Sequence, residues 1–528
     1  MKNFSVFLIS ILLMNPIHAQ PLPSWSQNEA NNSPYLFDFF HEPKIQLDHH
    51  GNCIVGGNFF DMNLGYKFFI IKYDSTGNLL WKRLFNDSIN IHDQLNDFTI
   101  DQYDNIYATG FEMLDSISSA VKTIKYDSTG NLSWENTFIG SGDSLDYGNS
   151  VIVDQSGNCF VTGGTFVDSS KASRILILKI NADGTTGWSE HYGTSLTDGY
   201  EGMLIKKTGQ HLSVAGQQML VILQHNFIAL TIDTLGNFIS AQETLADKDF
   251  SRFAIDDHGN FYVGTLLIAK YRVYKFNPAG IFLWQYQYPS SQPFGQFGDD
   301  VFGLTTNASG NVFATGMVST DTSSADMLTV KLDSAGNLIW ASRYNYLGKK
   351  TAEIGWAIAT DNFQNVFVAG SGQRDSLSNY DYIVERYDPD GSLYGEIRYD
   401  DPYSSENAIF SLALTKSCVF VTGLTFENQS TSITTQKYCS FKVGINSPEN
   451  FTPSVSISPN PATSEIIVTG LSSYLNSVFI YDSNKKRVFE SANKQQYAIS
   501  LKNFSPGIYI LEAISGAGVV MKKFIIQK

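Results

Sequence analysis

One sequence pattern recurs eight times along this chain, and it restricts the possible folds more than any other feature. Each copy has two halves, and each half contains a turn sequence close to Asp-x-x-Gly-Asn next to short β-rich runs. The residues that close the first half are Gly57, Gly110, Gly163, Gly216, Thr265, Gly316, Gly370 and Gly423. Successive copies are therefore 53, 53, 53, 49, 51, 54 and 53 residues apart. A period of about 50 residues built from strands and turns indicates a β-propeller or a solenoid.

The copy that begins near Val301 indicates how one repeat is built. Four runs rich in β-branched and aromatic residues lie at Phe302–Thr306, Val312–Val318, Met327–Leu332 and Leu338–Tyr344. Turn residues or a polar loop separate them. Four antiparallel strands in about 50 residues form one propeller blade. An α-solenoid does not fit, because no repeat contains ten residues with helical periodicity.

Tryptophans mark the fourth strand and indicate how the ring closes. Five of them follow the glycine of the second turn by four residues, at Trp81, Trp134, Trp188, Trp284 and Trp340. Ser240 and Gly395 take this place in the fourth and seventh copies. Trp25 precedes the first complete repeat, and its spacing from that repeat is the one that a fourth strand requires. The eighth copy, in turn, lacks a fourth strand. We therefore predict an all-β fold: an eight-bladed β-propeller of four-stranded blades, in which Pro23–Ser26 completes blade 8, so that strands from both ends of the chain close the ring.

Composition agrees with a large all-β protein and argues against one class of partner. The 528 residues are 43% hydrophobic and 13% aromatic, with only 16% charged residues and 42 glycines. The net charge is −15. The segment from Thr452 onward holds eight Lys or Arg against four Asp or Glu, so the preceding repeats are more acidic still. An acidic body repels phosphate backbones, and nucleic acid is excluded as an expected partner.

The N-terminal segment indicates export. Residues 1–19 contain an early lysine, an apolar run from Val6 to Met14 and a small residue at Ala19, which is the pattern of a secretory signal peptide cleaved between Ala19 and Gln20. The apolar run is too short to span a bilayer, and we predict no transmembrane segment in the mature chain.

Four cysteines remain in a chain predicted to leave the cytoplasm, where disulfides persist. Cys418 and Cys439 fall on neighbouring predicted strands of one repeat and are able to pair. The alternative is that these two, with Cys53 and Cys159, are separate buried residues, since cysteine often serves as a small hydrophobe. The sequence leaves both readings open.

The pattern changes near the C-terminus. We predict that the propeller occupies residues 20–444, that the polar, turn-rich residues 445–452 form a linker, and that residues 453–528 form a second domain. The second domain contains several short strand-like runs that are typical of a small β-sandwich.

Both parts resemble known families. The motif Asp-x-x-Gly-Asn-x-(Tyr/Phe)-Val-Thr-Gly, followed by Lys-Tyr-Asp-x-x-Gly-Asn-Leu-x-Trp, resembles the bacterial SBBP repeat, which specifies a propeller fold and no catalytic residues. The C-terminal segment resembles the type A sorting domain of the type IX secretion system of Bacteroidetes. The residues that carry this second resemblance are Pro459, Asn460, Pro461, Gly507, Tyr509, Lys522 and Lys523.

The second resemblance implies a route out of the cell. The chain would cross the inner membrane by the Sec pathway and the outer membrane with the type IX secretion machinery as its partner, and the sorting domain would be removed. The mature protein is expected either to be released into the medium or to be attached to the outer-membrane surface, and the sequence does not distinguish these two outcomes. The alternative for this segment is a carbohydrate-binding sandwich.

The sequence contains no established catalytic motif. The aspartates that open the first turns (Asp48, Asp101, Asp154, Asp256 and Asp361) are single carboxylates ahead of Gly-Asn or a related pair, where an aspartate caps its own turn. Calcium loops need several oxygen ligands at alternating positions. His49 and His50 lie in a turn with no visible partner. We therefore assign no catalytic, cofactor-binding or metal-binding residue and predict no cofactor.

Binding or scaffolding is the function that these patterns favour. Segments after the fourth strands (Phe85–Asp97, Phe138–Gly148, Tyr286–Asp300 and Tyr344–Gly355) are expected to gather on one rim and to bind an extracellular glycan or protein. Their aromatic residues also suit packing between blades. One alternative is a polysaccharide lyase or glycosidase with carboxylates at the channel mouth. Another is a structural subunit of an adhesive or gliding assembly, which would expose an apolar patch.

Overall fold

A computed structural model gives the fold of the chain. It describes residues 23–30, 42–61, 65–85, 93–115, 117–141, 145–167, 172–195, 197–220, 225–244, 250–265, 270–289, 298–319, 325–345, 351–373, 380–399, 406–427, 430–439, 441, 456–459, 461–469, 475–482, 486–492, 497–515 and 518–527. The chain divides into two compact units, residues 1–443 and 444–528.

The first unit is a ring of eight four-stranded antiparallel sheets, which confirms the predicted propeller. Blade 1 consists of β2 (Lys44–Leu47), β3 (Cys53–Asp61), β4 (Gly65–Tyr73) and β5 (Leu79–Leu84). Blade 2 consists of β6 (Asp93–Ile100), β7 (Ile106–Met113), β8 (Ser119–Tyr126) and β9 (Leu132–Phe138). Blade 3 consists of β10 (Tyr147–Val153), β11 (Cys159–Thr165), β12 (Arg174–Ile180) and β13 (Thr186–Tyr192). Blade 4 consists of β14 (Gly199–Thr208), β15 (His211–Met219), β16 (His225–Asp233) and β17 (Phe238–Thr244).

The other half of the ring repeats the same plan. Blade 5 consists of β18 (Phe250–Ile255), β19 (Phe261–Thr265), β20 (Arg272–Phe276) and β21 (Phe282–Gln287). Blade 6 consists of β22 (Asp300–Thr306), β23 (Val312–Ser319), β24 (Ala325–Leu332) and β25 (Leu338–Tyr344). Blade 7 consists of β26 (Glu353–Thr360), β27 (Val366–Gln373), β28 (Tyr380–Tyr387) and β29 (Leu393–Tyr399). Blade 8 consists of β30 (Glu406–Leu414), β31 (Val419–Glu427), β32 (Ser430–Tyr438) and β1 (Trp25–Ala30).

The ring closes through the N-terminal strand, as predicted. β1 pairs antiparallel with β32, in a register that runs from Trp25 opposite Lys437 to Ala30 opposite Ser432. The strand extends beyond the predicted Pro23–Ser26 because the pairing with β32 continues to Ala30, opposite Ser432. The first strands of successive blades contact one another around the ring, including β30 with β2, so they surround the central axis. The second and third strands are almost wholly buried between blades, and the fourth strands form the outer rim.

The Asp-x-x-Gly-Asn sequences form tight hairpin turns. In the turn that starts at Asp333, the Gly336 N–H donates to the Asp333 carbonyl, and the Asp333 N–H donates to the Asn337 carbonyl. Gly336 has φ of +87°, a left-handed conformation that favours glycine. Because strands alternate in direction, the turns between first and second strands and those between third and fourth strands lie on one side of the ring. We call this side the turn face and the opposite side the loop face.

The second unit consists of two small sheets around a core of its own. A three-stranded sheet has the order β33 (Ser456–Ser458), β34 (Glu465–Thr469), β37 (Tyr497–Ser500). A four-stranded sheet has the order β36 (Arg487–Ala492), β35 (Leu475–Tyr481), β38 (Gly507–Ser515), β39 (Gly518–Ile526). One cluster of buried residues draws on both sheets, including Ile466, Ile499, Ile480 and Leu511. This is the predicted β-sandwich. Within the described residues there is no helix of a length and apolarity that would cross a membrane.

Candidate functional site

The repeat motif encodes a contact that joins six of the eight blades to the blade that follows. The tryptophan of the fourth strand lies over the second-turn glycine of the following blade and donates its Nε1–H to the carbonyl two residues before that glycine. Trp340, for example, lies over Gly391 and donates to the Pro389 carbonyl at 3.1 Å. The same contact is made by Trp25, Trp81, Trp134, Trp188 and Trp284. We call it the tryptophan contact.

The lysine of the Lys-Tyr-Asp motif supports the tryptophan contact. Lys331 of blade 6 donates to the same Pro389 carbonyl at 3.1 Å, and its ammonium lies 5.5 Å from the Phe313 ring centroid. The lysine and the tryptophan thus donate to the same carbonyl of the next blade, and the aromatic residue lies against the lysine. This shared acceptor explains why the three residues recur at the same spacing in several repeats. Where Ser240 replaces tryptophan in blade 4, its hydroxyl donates to the corresponding Pro278 carbonyl at 3.4 Å.

The junction between blades 7 and 8 cannot make this contact. Blade 8 has no turn between its third and fourth strands, because β32 and β1 come from opposite ends of the chain. Blade 7 in turn has Gly395 in place of tryptophan and Arg386 in place of lysine. The guanidinium of Arg386 lies 3.8 Å from the Tyr394 ring centroid. Closing the ring with β1 and β32 therefore leaves the junction of blades 7 and 8 without this contact on the turn face.

A pocket of about 520 Å³ lies at this junction. We call it the seam pocket. Its lining consists of Asp361, Phe363, Asn365, Phe367, Arg386, Tyr394, Thr415, Lys416, Ser417, Cys418, Cys439 and Phe441. Phe363 is 70% exposed and Tyr394 is 41% exposed, although both are large and aromatic. The volume is typical of a site for a small ligand, and exposed aromatic rings in such a pocket offer faces for stacking.

Charge and a disulfide complete the seam pocket. Arg386 and Lys416 contribute two cations, while the Asp361 carboxylate accepts the backbone N–H groups of Phe363 and Asn365 and is used in its own turn. The Nε of Arg386 is buried and has no hydrogen-bond partner among the described residues. The disulfide between Cys418 and Cys439 joins the first turn of blade 8 to the end of β32 and fixes the pocket wall. Of the two readings of the cysteines, pairing is therefore correct for these two, whereas Cys53 and Cys159 are buried free thiols.

A second group of ionisable residues is enclosed in the core of blade 7. Glu385 and Glu396 lie directly opposite each other on β28 and β29. Tyr387 donates to Glu385 at 2.5 Å, and Tyr344 of blade 6 donates to Glu396 at 2.6 Å. Burial raises the pKa of Glu385 to about 8. Arg398 is also buried and pairs with Asp381 at 3.0 Å. Both carboxylates are buried, with Glu385 0% and Glu396 9% exposed, so the pair does not form an open substrate site.

Carboxylates near the axis are paired with cations. Glu42, which precedes β2, lies 3.3 Å from Arg252 on β18, so an ion pair joins blades 1 and 5 from opposite sides of the ring. Asp97 on β6 lies 2.9 Å from Lys44 on β2. Glu42 and Asp97 are thus each paired with a cation. This arrangement gives no support to the acid–base pair of carboxylates that a glycosidase would need.

The turn aspartates cap their own turns, as predicted. The Oδ1 of Asp154 accepts the N–H groups of Ser156 and Asn158, and its Oδ2 accepts the Asn158 side-chain amide. The same pattern holds at Asp48, Asp101, Asp256 and Asp361.

The segments after the fourth strands are described only in part. The structure does not describe residues 86–92, 142–144, 290–297 and 346–350. These ranges include the aromatic residues Phe294, Phe297 and Tyr346. Tyr344 is buried against blade 7, and Phe85 stacks on Phe68 at 4.7 Å, so these two aromatics pack between or within blades. The seam pocket lies on the turn face. The segments that the sequence predicted to bind a ligand follow the fourth strands and belong to the loop face.

Sequence reasoning missed the seam pocket, although a signal for it exists. The pocket is lined by Arg386 and Tyr394, next to the position where Gly395 replaces tryptophan. The sequence shows that the seventh repeat lacks the tryptophan and that the eighth repeat, which follows it, lacks a fourth strand. The meaning of this coincidence depends on knowing which group the tryptophan contacts.

The predicted export residues are placed as follows. Ala19, Gln20 and Asn460 lie outside the described residues. Pro459 and Pro461 are exposed and lie between β33 and β34. Gly507 begins β38, and Tyr509 is buried on the same strand with its hydroxyl donating to the Ser505 carbonyl at 2.9 Å. Lys522 and Lys523 lie on β39. Their roles in cleavage and sorting stay predictions.

Comparisons with known proteins bear on the two units differently. No curated protein matches the chain. Three solved structures with similar folds are the Dos1 propeller (13% identity, 79% of this chain and 95% of that chain, TM-score 0.48), the β-propeller domain of the Trilobed protease from Pyrococcus furiosus (9%, 69% and 100%, TM-score 0.37) and a streptogramin B lyase (11%, 78% and 97%, TM-score 0.38). At these identities and TM-scores the likeness gives no information on ligand or activity.

The C-terminal unit has a specific match. Residues 456–527 match the family described as "Secretion system C-terminal sorting domain". The match covers β33 to β39, which is the whole of the small sandwich. The chain therefore carries a C-terminal sorting domain, which implies export by the type IX secretion system and a location outside the cell or on its surface.

Proposed function

We propose that this chain is an exported binding module whose propeller holds an extracellular acidic glycan in the seam pocket. One observation carries the proposal: at the junction of blades 7 and 8, where blade 8 lacks the turn that would accept a tryptophan contact, the structure has a pocket with exposed aromatic rings and two cations. The apolar faces of sugar rings stack on aromatic side chains. Arginine and lysine bind carboxylate or sulfate groups on such sugars.

The polarity of the lining favours a glycan over an apolar ligand. Thr415 and Ser417 provide hydroxyl groups beside the rings of Phe363 and Tyr394, while the Asn365 amide donates to Asp361 within the turn. These groups suit a ligand with many hydroxyls. The propeller supplies a rigid frame, since the disulfide and the closing strand both hold the blade 8 wall of the pocket.

The test is a binding screen of the full chain against arrayed neutral and acidic glycans, with product analysis for each ligand. We expect retention of an acidic glycan, and a loss of about ten-fold or more in affinity for the double variant Phe363→Ala/Tyr394→Ala, as aromatic anchors dominate such sites. Arg386→Gln should weaken binding of acidic ligands and leave neutral ones unchanged.

Tyr103→Ala is the matched control. Tyr103 occupies the same turn position in blade 2 as Phe363 in blade 7 and is 69% exposed, but its junction has an intact tryptophan contact. This variant should bind like the original chain. Equal loss in both variants, or cleavage of the glycan, would contradict the proposal, and cleavage would favour the lyase or glycosidase alternative.

The export route is part of the same proposal. The apolar run of residues 1–19 supports a signal peptide, the sorting domain supports passage through the type IX machinery, and the repeat motif supports assignment of the blades to the SBBP type in a Bacteroidetes protein. N-terminal sequencing of the exported chain after pulse labelling should give Gln20 as its first residue.

A second candidate function, a subunit of a surface assembly, has one observation in its favour. The fourth strands of the adjacent blades 4, 5 and 6 begin with exposed apolar residues, namely Phe238, Ile239, Ile281, Phe282, Leu283, Leu338 and Ile339. Apolar residues exposed in neighbouring blades are typical of a protein contact. Concentration-dependent self-association that Ile281→Ser/Leu283→Ser abolishes would support this candidate, and a monomer at all concentrations would contradict it.

A further inference from the structure

Two neighbouring turns on the turn face bring histidines and a carboxylate together. His49 and His50 belong to the first turn of blade 1, and Asp104 belongs to the first turn of blade 2. The Nδ1 of His49 lies 2.7 Å from one oxygen of the Asp104 carboxylate, and the Nδ1 of His50 lies 2.8 Å from the other. The carboxylate is buried, whereas the two imidazoles are 64% and 76% exposed.

Asp104 stands where the repeat has glycine. It has φ of +62°, like the turn glycines at the same position, for example Gly157 with φ of +80°. A left-handed aspartate is less favourable than glycine there, so the carboxylate is not needed by the turn itself. The Asp104 carboxylate instead faces the two imidazoles, and it also accepts the backbone N–H of His49 at 3.0 Å.

We propose that His49, His50 and Asp104 bind a borderline divalent cation such as Zn²⁺, which joins blades 1 and 2. Two imidazole nitrogens and one carboxylate form a donor set that such cations favour. The cation would take the place of the hydrogen bonds between the Nδ1 atoms and the carboxylate, any proton displaced from Nδ1 would pass to Nε2 or to water, and water would complete the tetrahedron. Both imidazoles are exposed, so their side chains are able to rotate until the two nitrogens and the carboxylate share one ion.

The surrounding charges define which groups take part. One atom each of Asp48, His50 and Asp104 lie within 4.8 Å of one another. Asp48, however, accepts the His50 and Asn52 N–H groups and pairs with the Lys72 ammonium at 2.8 Å. It is fully used as a turn cap and ion-pair partner. Asp48 therefore contributes negative potential beside the site, and we assign the direct ligands to the two histidines and Asp104.

The experiment is titration of the full chain, without a histidine tag and after treatment with EDTA, with Zn²⁺. We expect one bound ion per chain and a melting temperature that rises with zinc until it saturates, as binding to the folded state requires. Asp104→Gly should lose at least about ten-fold in zinc affinity, in line with the cost of altering a metal site. Without zinc the same variant should melt close to the original chain, since glycine suits this φ and so offsets the lost hydrogen bonds from His49 and His50.

Two further variants separate metal binding from folding effects. His49→Ala/His50→Ala should remove zinc binding. His258→Ala is the matched control: His258 has the turn position of His50, and its N–H donates to Asp256, but the following blade has Gly310 where blade 2 has Asp104. It should bind zinc like the original chain. Zinc that leaves the melting temperature of the original chain unchanged, or that binds Asp104→Gly equally well, would overturn the proposal.

Discussion

At the residue scale, Glu385 is the side chain that departs furthest from the repeat. The corresponding residues are Ile71 in blade 1 and Val330 in blade 6, which are apolar and buried. Glu385 is buried as well and faces Glu396 across the sheet. A buried carboxyl group next to another is most stable when it is protonated. The core of blade 7 is therefore expected to respond to pH, while the cores of blades 1 and 6 lack a carboxyl at this position.

The first prediction concerns this residue. Burial raises the pKa of Glu385 to about 8 in the folded chain, above its unfolded value of 4.5, so the folded state holds more protons between these pH values. Stability is then fully present below about pH 4.5 and falls as the pH rises toward 8. Glu385→Gln should remove this fall and raise the melting temperature at pH 8. Near pH 4.5 the variant should melt like the original chain, and an equal shift at both pH values would contradict the assignment.

Local contacts could be predicted from the sequence at this scale, whereas contacts between repeats could not. The aspartate caps were predictable because Asp154 bonds to residues two and four positions away. The contact of His50 with Asp104 was missed because the two residues are 54 positions apart, which is one repeat. Aligning the turns was not sufficient, since the ring must also place the first turns of neighbouring blades side by side.

At the scale of elements, the strands were predictable and the junctions were not. The predicted fourth strand of blade 6, Leu338–Tyr344, has the same bounds in the structure, because period-2 patterning and turn residues are local signals. The tryptophan was recognised as a marker, but the pattern does not reveal its acceptor in the next blade. The seam pocket depends on that acceptor, and this is why it was not predicted.

The second prediction tests the tryptophan contact. Trp340→Phe removes the bond from Nε1 to the Pro389 carbonyl, which should cost about 1 kcal/mol. Trp340→Ala also removes buried area and should cost about 3–5 kcal/mol. Ser240→Ala is the control at the junction of blades 4 and 5, where serine replaces tryptophan, and should have a smaller effect. Chemical denaturation of each variant measures these differences.

A glycine variant shows whether the ring and the turn act together. A Cβ at Gly391 would lie 2.6 Å from ring atoms of Trp340, and Gly391 has φ of +88°. Gly391→Ala should therefore destabilise more in the original chain than in the Trp340→Ala background, where only the backbone strain is left. Equal effects in both backgrounds would contradict the close packing of ring on turn.

At the scale of the whole molecule, two devices close the propeller at the same place. β1 adds the fourth strand of blade 8 by pairing with β32, and the disulfide ties the residue after β32 to the first turn of the blade. Both act on β32, which has no covalent hairpin to its outer neighbour. Closing the ring in this way also creates the seam pocket, so stability and the proposed binding site have a common origin.

The third prediction follows from this shared element. Deleting residues 23–30 should lower the melting temperature, and so should Cys418→Ser/Cys439→Ser. A disulfide across 21 residues is worth about 3 kcal/mol in the chain-entropy model. Combining the two changes should cost less than the sum, because a detached β32 is lost only once. As a control, a reducing agent should affect the original chain and leave the serine variant unchanged; additive costs would mean that the two devices are independent.

The last prediction separates the two units of the chain. The buried cluster of the sorting domain consists of residues from Ala462 to Ile526, and none of its members belongs to the propeller. A chain that ends at Val443 should therefore keep the propeller core and melt near the temperature of the longer chain. Because the residues matching the sorting family are gone, this truncated chain should accumulate in the periplasm, as cell fractionation will measure. The Asp104→Gly variant of the full chain, altered only in the propeller, should reach the surface or medium normally. Normal export of the truncated chain would mean that the export signal lies in the blades.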